Sequence, residues 1–192
     1  MVKFILSIAC VGLLAACGQK DQPDQAETPG EKPVVLSAIE LSGNVYREVN
    51  AKKDGVRVTD TGLQILELAE GDARGPRPMP GQVVCVHYRG TSVLGVEFDS
   101  SYSRDLPTAF PSNGVIAGWV EALGMMRAGD KWNLVIAPEL AYGTRGTPGG
   151  PIAPNETLVF DVELLKILDI TRDEYMATYR VDPTLDCSKH GE

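Results

Sequence analysis

Gly114-Val115-Ile116-Ala117-Gly118-Trp119, continued by Val120-Glu121-Ala122-Leu123-Gly124-Met125-Met126, is the stretch from which the rest of the chain is best read. Val115, Ile116, Trp119, Leu123 and Met126 recur at spacings of one, three, four and three residues, the period of one buried face on a short helix. An indole in the first turn of such a helix can be gripped by the core while its face looks outward, and so give an apolar pocket a floor. Taken by itself, Trp119 reads equally well as a plain core aromatic.

Outward from this helix, short apolar runs alternate with turn residues. Leu63–Leu68, Val83–Tyr88, Lys131–Ile136 and Thr157–Leu165 read as strands, bounded by Gly71-Asp72, Pro80-Gly81, Gly129-Asp130 and Pro154-Asn155. One sheet with one strong helix is an α+β plan, and residues 56–168 suffice for one ordinary domain with a single core. Before the domain, Ile39, Leu41, Val45, Tyr46 and Val49 fit a helical stripe loosely. A short helix is expected there over Asn44–Lys53, within a helical segment 36–55 that Asp54-Gly55 ends. Residues 169–192 read as a C-terminal extension on the domain surface, with one helical turn at Asp173–Arg180.

Residues 1–16 read as an export signal. Lys3 is the positive start, Phe4 to Ala16 is predominantly apolar, and Leu14-Ala15-Ala16 ends on small residues before Cys17. The run falls short of the roughly 20 apolar residues a membrane span needs. Leu-Ala-Ala-Cys resembles the bacterial lipobox, which implies an acylated Cys17 as mature N-terminus and a protein tethered to a lipid bilayer. The alternative is an ordinary signal cut after Ala16. Residues 17–35 mix Gly18, Pro23, Pro29, Gly30 and Pro33 with polar residues, the composition of a flexible linker. Stretched, it reaches at most roughly 60 Å from the lipid surface.

The formal net charge is −8, and one unit more negative without Lys3, which argues against nucleic acid as a partner. No glycine-rich loop precedes a lysine as a nucleotide cradle requires, so no cofactor is expected. The two histidines, His87 and His190, have no metal-ligand spacing, and no metal site is expected. No Gly-x-Ser-x-Gly elbow marks a hydrolase. What the chain has is aromatic residues beside turns, the raw material of an apolar pocket with a few polar groups.

Val86-His87-Tyr88-Arg89-Gly90, Phe98-Asp99-Ser100-Ser101, Val115-Ile116-Ala117-Gly118-Trp119, Ala141-Tyr142-Gly143 and Thr157-Leu158-Val159-Phe160-Asp161-Val162-Glu163-Leu164 stand in a telling order. Over about Thr59 to Ile167 the chain resembles the FKBP-type peptidyl-prolyl cis–trans isomerases. It is most similar to the bacterial branch related to the macrophage infectivity potentiator proteins. The resemblance implies an antiparallel sheet of five or six strands curled around one short helix, and an isomerase that speeds folding of exported proteins. Its substrates would be proline-containing polypeptides, and macrolide inhibitors would be further ligands. Gly18 after the lipobox cysteine, by resemblance to sorted lipoproteins, implies the outer membrane, facing periplasm or cell surface.

The resemblance also implies the site residues. Trp119 would lie under the proline ring, with Tyr88, Phe98, Phe110, Val115, Ile116, Ile152 and Phe160 around it. Tyr142 would donate its hydroxyl to a substrate carbonyl, and Asp99 would stand beside the twisting carbonyl in an electrostatic or orienting role. Asp99, Tyr142 and Phe98 are the residues expected to carry catalysis, and His87 is expected to be structural. Relative to the best-known members, Thr108 replaces an aromatic, Thr147 replaces a histidine, and one residue is inserted near Gly150-Pro151, so the pocket mouth departs from the pattern. A second reading remains: a binding module that holds proline-containing segments as a scaffold, with catalysis incidental. The branch often carries a long dimerisation helix, for which Leu36–Lys53 is too short.

Two cysteines are left over. With Tyr88 on the pocket side, alternation along Val83–Tyr88 puts Val84 and Val86 with it and Val83, Cys85 and His87 on the other face. The tail after Asp169 is available to cover that face, and a Cys85–Cys187 disulfide would fasten it there. The alternative is two free thiols.

Overall fold

The computed structural model describes residues 37–170, 172–181 and 187. The signal segment, Cys17 and the linker lie outside the described residues, as does most of the chain after Val181. In chain order the elements are α1 (Ala38–Asn50), β1 (Val56–Val58), β2 (Gln64–Ala69), β3 (Val83–Ser92), β4 (Glu97–Ser100), β5 (Thr108–Pro111), α2 (Ala117–Met125), β6 (Lys131–Ile136), β7 (Leu158–Ile167) and α3 (Arg172–Val181). Single 3-10 turns lie at Tyr102–Arg104, Pro138–Leu140 and Gly143–Arg145.

All seven strands join one antiparallel sheet in the order β1-β2-β6-β7-β3-β4, with β5 also on β3. β5 pairs with Val83–Val86 and β4 with Arg89–Thr91, so the two short strands share one edge of β3. The seven strands therefore fill six positions, and the expected α+β plan of a sheet around a short helix is the plan observed. Sequence reading missed β1, β4 and β5, which are three or four residues long and too short to show alternation.

α2 lies against the inner face of the sheet and supplies Trp119, Ala122 and Leu123 to the main core. Leu63, Ile65, Val84, Val86, Leu134, Ile136, Leu158 and Leu164 meet them there with no exposed area. Gly118 allows this contact: a Cβ on it would stand 2.7 Å from Ile136 Cγ2. Any side chain would push the helix off the sheet and lift the indole that follows.

α1 begins earlier than expected, at Ala38, and ends at Asn50. Ser37 caps it, its Oγ accepting the Glu40 N–H at 3.1 Å, within a Ser-x-x-Glu start signal present in the sequence. The helix docks through small and polar groups. Gly43 packs on Thr157, Arg47 donates to Thr157 Oγ1, and buried Asn50 donates to Gln64 Oε1 at 2.9 Å. Leu41, Val45 and Val49 face outward, which explains why their stripe is a poor guide to the buried side.

The outer face of β3 carries a second cluster of Val83, Cys85, Ala109, Leu168, Tyr175 and Cys187. Cys85 and Cys187 are joined by a disulfide, with Cα atoms 5.8 Å apart across 102 residues of sequence. α3 extends the expected turn by one residue at each end.

Candidate active site

An open cavity of about 440 Å³ lies above the main core. Trp119, 4% exposed, lies in its lining with Tyr88 and Phe160. The Tyr88 and Phe160 rings stand at 86° to the indole plane, with centroids 5.4 and 5.2 Å away. Phe110 leans over it at 58° and 5.7 Å. Edge-to-face packing of Tyr88 and Phe160 with the indole sets the positive edge of one ring against the negative face of another and favours this arrangement. Walls perpendicular to a flat base leave a slot suited to a small saturated ring.

Val115 and Ile116 close one side and deliver the chain into α2, whose N-cap is Ile116. No side chain caps that helix, and the Trp119 and Val120 N–H groups both donate to the Ile116 carbonyl, at 2.9 and 3.1 Å. Tyr142, 40% exposed, adds a hydroxyl to the lining. Thr108 and Gly114 complete it.

Asp99 is the charged group of the lining, and it is locked. Tyr88 Oη donates to Asp99 Oδ2 at 2.6 Å, and Arg104 Nη1 donates to Oδ1 at 2.7 Å. Arg104 Nη2 also donates to Tyr88 Oη at 2.9 Å, and the guanidinium lies 5.7 Å from the Tyr88 ring centroid. Burial pushes the Asp99 carboxyl up, but the bonds from Tyr88 and Arg104 outweigh it and hold Asp99 below the ordinary carboxylate value. Burial, then the bond to Asp99, raises the Tyr88 phenol. Around neutral pH the carboxylate is therefore ionised and the phenol protonated. Ser101, fully buried, donates to and accepts from the Tyr88 backbone and bonds His87 Nδ1 at 2.9 Å, anchoring the strand that carries the phenol.

Of the residues singled out in the sequence, Tyr88, Asp99, Phe110, Val115, Ile116, Trp119, Tyr142 and Phe160 come together around the cavity. Phe98 and Ile152 do not line it. Phe98 meets Phe160 edge-on at 5.5 Å, over a strand position where Gly90 leaves room: a Cβ there would lie 2.6 Å from one ring and 2.7 Å from the other. Ile152 is 6% exposed in the core, in a loop that Thr147 folds on itself by donating its N–H to Ile152 O and accepting the Ile152 N–H. Of the departures at the mouth, only Thr108 reaches the lining. His87 stacks on Tyr102 at 4.6 Å, away from the cavity lining. Arg104 was missed. No periodicity marks it, and the sole hint is an arginine five residues after a pocket carboxylate.

The family profile described as FKBP-type peptidyl-prolyl cis–trans isomerase matches residues 75–165. The chain is 50% identical over 133 residues to the FKBP-type 22 kDa peptidyl-prolyl cis-trans isomerase of Escherichia coli K12, covering 69% of this chain and 63% of that protein. It is 39% identical over 125 residues to the outer membrane protein MIP of Legionella longbeachae, covering 65% of this chain and 52% of that one. A crystal structure of a peptidyl-prolyl cis-trans isomerase from Pseudomonas syringae pv. tomato superposes with TM-score 0.61 at 34% identity, over 69% of this chain and 98% of that one. The chain belongs to the FKBP-type peptidyl-prolyl cis–trans isomerase family. It spans about half to two thirds of the length of the curated relatives it matches.

Proposed function

We propose that the protein catalyses cis–trans rotation about X-Pro peptide bonds of exported polypeptides. The observation that carries this reading is the slot on Trp119, walled by Tyr88 and Phe160 at right angles, with Asp99 held ionised at its rim. Rotation breaks amide conjugation against a barrier of about 18–20 kcal/mol, which makes it take tens to hundreds of seconds unaided. No covalent bond changes, so catalysis consists of binding the twisted amide better than the planar one. The planar amide has a strongly polar oxygen that water solvates well. The twisted amide has lost resonance and carries less charge on oxygen, so moving it into an aromatic slot costs less.

In this reading the proline ring rests on Trp119, and the carbonyl to be twisted faces the ring edges of Tyr88 and Phe160. Asp99 acts by its fixed charge and by holding Tyr88, directly and together with Arg104, without moving a proton. Tyr142 would donate its hydroxyl to a neighbouring substrate carbonyl. Phe98, behind Phe160, would act by supporting that wall.

An acylated Cys17, with Gly18 favouring the outer membrane, would hold the domain at the envelope on its linker. An exported location accords with the name of the Legionella relative. No helix among the described residues is long and apolar enough to cross a membrane. The decisive experiment follows a proline peptide by exchange NMR, which reports rotation and binding separately. Asp99→Ala or Phe98→Ala should lower kcat/KM about tenfold or more, equivalent to roughly 1.4 kcal/mol per tenfold. Binding without accelerated exchange would favour the scaffold reading instead.

A further inference from the structure

Behind one wall of the cavity, the tail of the chain is fastened to a single strand. Alternation along β5 turns Thr108 and Phe110 toward the cavity and Ala109 to the outer face, directly opposite Cys85 in the register. Cys85 is bonded to Cys187. Tyr175 of α3 packs in the same cluster, 7% exposed, and its hydroxyl donates to the Ala109 carbonyl at 3.0 Å. β5 has only four residues and pairs with β3 alone, so that carbonyl is one of few anchors available to it. Leu168, Tyr175 and Cys187 all lie beyond the matched family stretch 75–165.

We propose that the segment after Ile167 is a positioning element for the pocket: Tyr175 and the Cys85–Cys187 link hold Ala109 from behind and so fix Phe110 against Trp119. Phe110 is the wall with the most to gain. It is tilted where Tyr88 and Phe160 stand upright, and it comes from a strand of only four residues. A displacement of about 1 Å in a group that orients substrate is enough to slow a reaction markedly. The catalytic consequence rests on the isomerase reading, whereas the hold on β5 does not.

Hydrogen exchange tests the hold directly. In Tyr175→Phe, the amides of Ala109 and Phe110 should exchange about tenfold faster than in the wild type, while those of β6 keep their rates. Cys187→Ser should do the same more strongly, and if that variant fails to fold, Tyr175→Phe still decides. Catalysis tests the coupling. Tyr175→Phe should lower kcat/KM roughly threefold, mainly through KM, and should have no further effect in a Phe110→Ala background. Unchanged β5 exchange would overturn the proposal, as would an equal loss of kcat/KM with and without Phe110. A wild type that fails to speed X-Pro rotation would sink the functional reading alone, and the β5 exchange rates would still show whether the tail holds the strand.

Discussion

Among the described residues, β3 gives Val84, Val86 and Tyr88 on its inner face to a core of 17 buried residues, whereas on its outer face Val83 and Cys85 join a cluster of six. The inner cluster is large enough to be held by apolar burial, at roughly 25 cal/mol per Å² removed from water. The outer one joins a short tail to one side of a sheet, and it carries the disulfide. Small apolar clusters need a crosslink for the same reason small domains do: too little buried area sets against the entropy of ordering the chain. The same strand thus shows two ways of holding neighbours in place, one spread over many side chains and one concentrated in a bond.

That contrast can be broken from either side. Leu134→Ala in the fully buried inner core should cost about 2–5 kcal/mol by denaturant titration, with a single transition for the domain. Cys187→Ser should cost about 2–4 kcal/mol, since the link closes a 102-residue separation, and part of that loss should appear as earlier opening of α3 alone. A Cys187 variant as stable as the wild type would mean that the outer cluster holds the tail without its crosslink.

Gly90→Ala strikes the inner face next to the cavity. Its methyl group would meet Phe98 and Phe160 at once, costing about 1–3 kcal/mol of overpacking and tilting the Phe160 wall. Peptide isomerisation should fall more than stability alone predicts, and unaltered kcat/KM would detach Phe160 from the chemistry.

The smallest effect concerns pH. The Asp99 pKa is lower in the folded protein than its ordinary 3.8, so its contribution to stability is complete above that value and is lost as pH falls through the depressed folded value. The Tyr88 pKa is raised above 10.0, so its contribution is complete below that and is lost as pH rises through the raised value. Between them the network keeps one charge state. Stability from this pair and kcat/KM should both be flat from about pH 5 to about pH 9. A step near neutrality would mean that this network does not set the pH dependence.

Strong periodic elements were legible in the residues alone: β6 with its bounds, most of β2, β3 and β7, and the helix around Trp119. The alternation along β3 that put Cys85 opposite Tyr88 is the arrangement present. Short strands were not legible, because β4 and β5 are strands only by virtue of lying along β3. α1 was placed six residues late because its apolar residues face water and its buried ones are Gly43 and Asn50, an inversion that no hydrophobic count detects. In the site, aromatic residues announced themselves by type and order. Arg104 did not, because its role comes from a 3-10 turn that folds it back over Asp99 and Tyr88. Phe98 and Ile152 lie outside the cavity lining, since a motif gives neighbourhood and not which ring stands in front.

The division of one sheet edge between β4 and β5 has a consequence for life among unfolded chains. An exposed strand edge is a template on which a foreign segment can pair, and long flat edges invite aggregation. Here one edge is cut into two four-residue pieces by the 3-10 turn at Tyr102–Arg104, and the opposite edge is the three-residue β1. None of these offers a run as long as the usual five- or six-residue strand. If the proposed function holds, the unfolded polypeptides this domain meets find little backbone on it to adhere to.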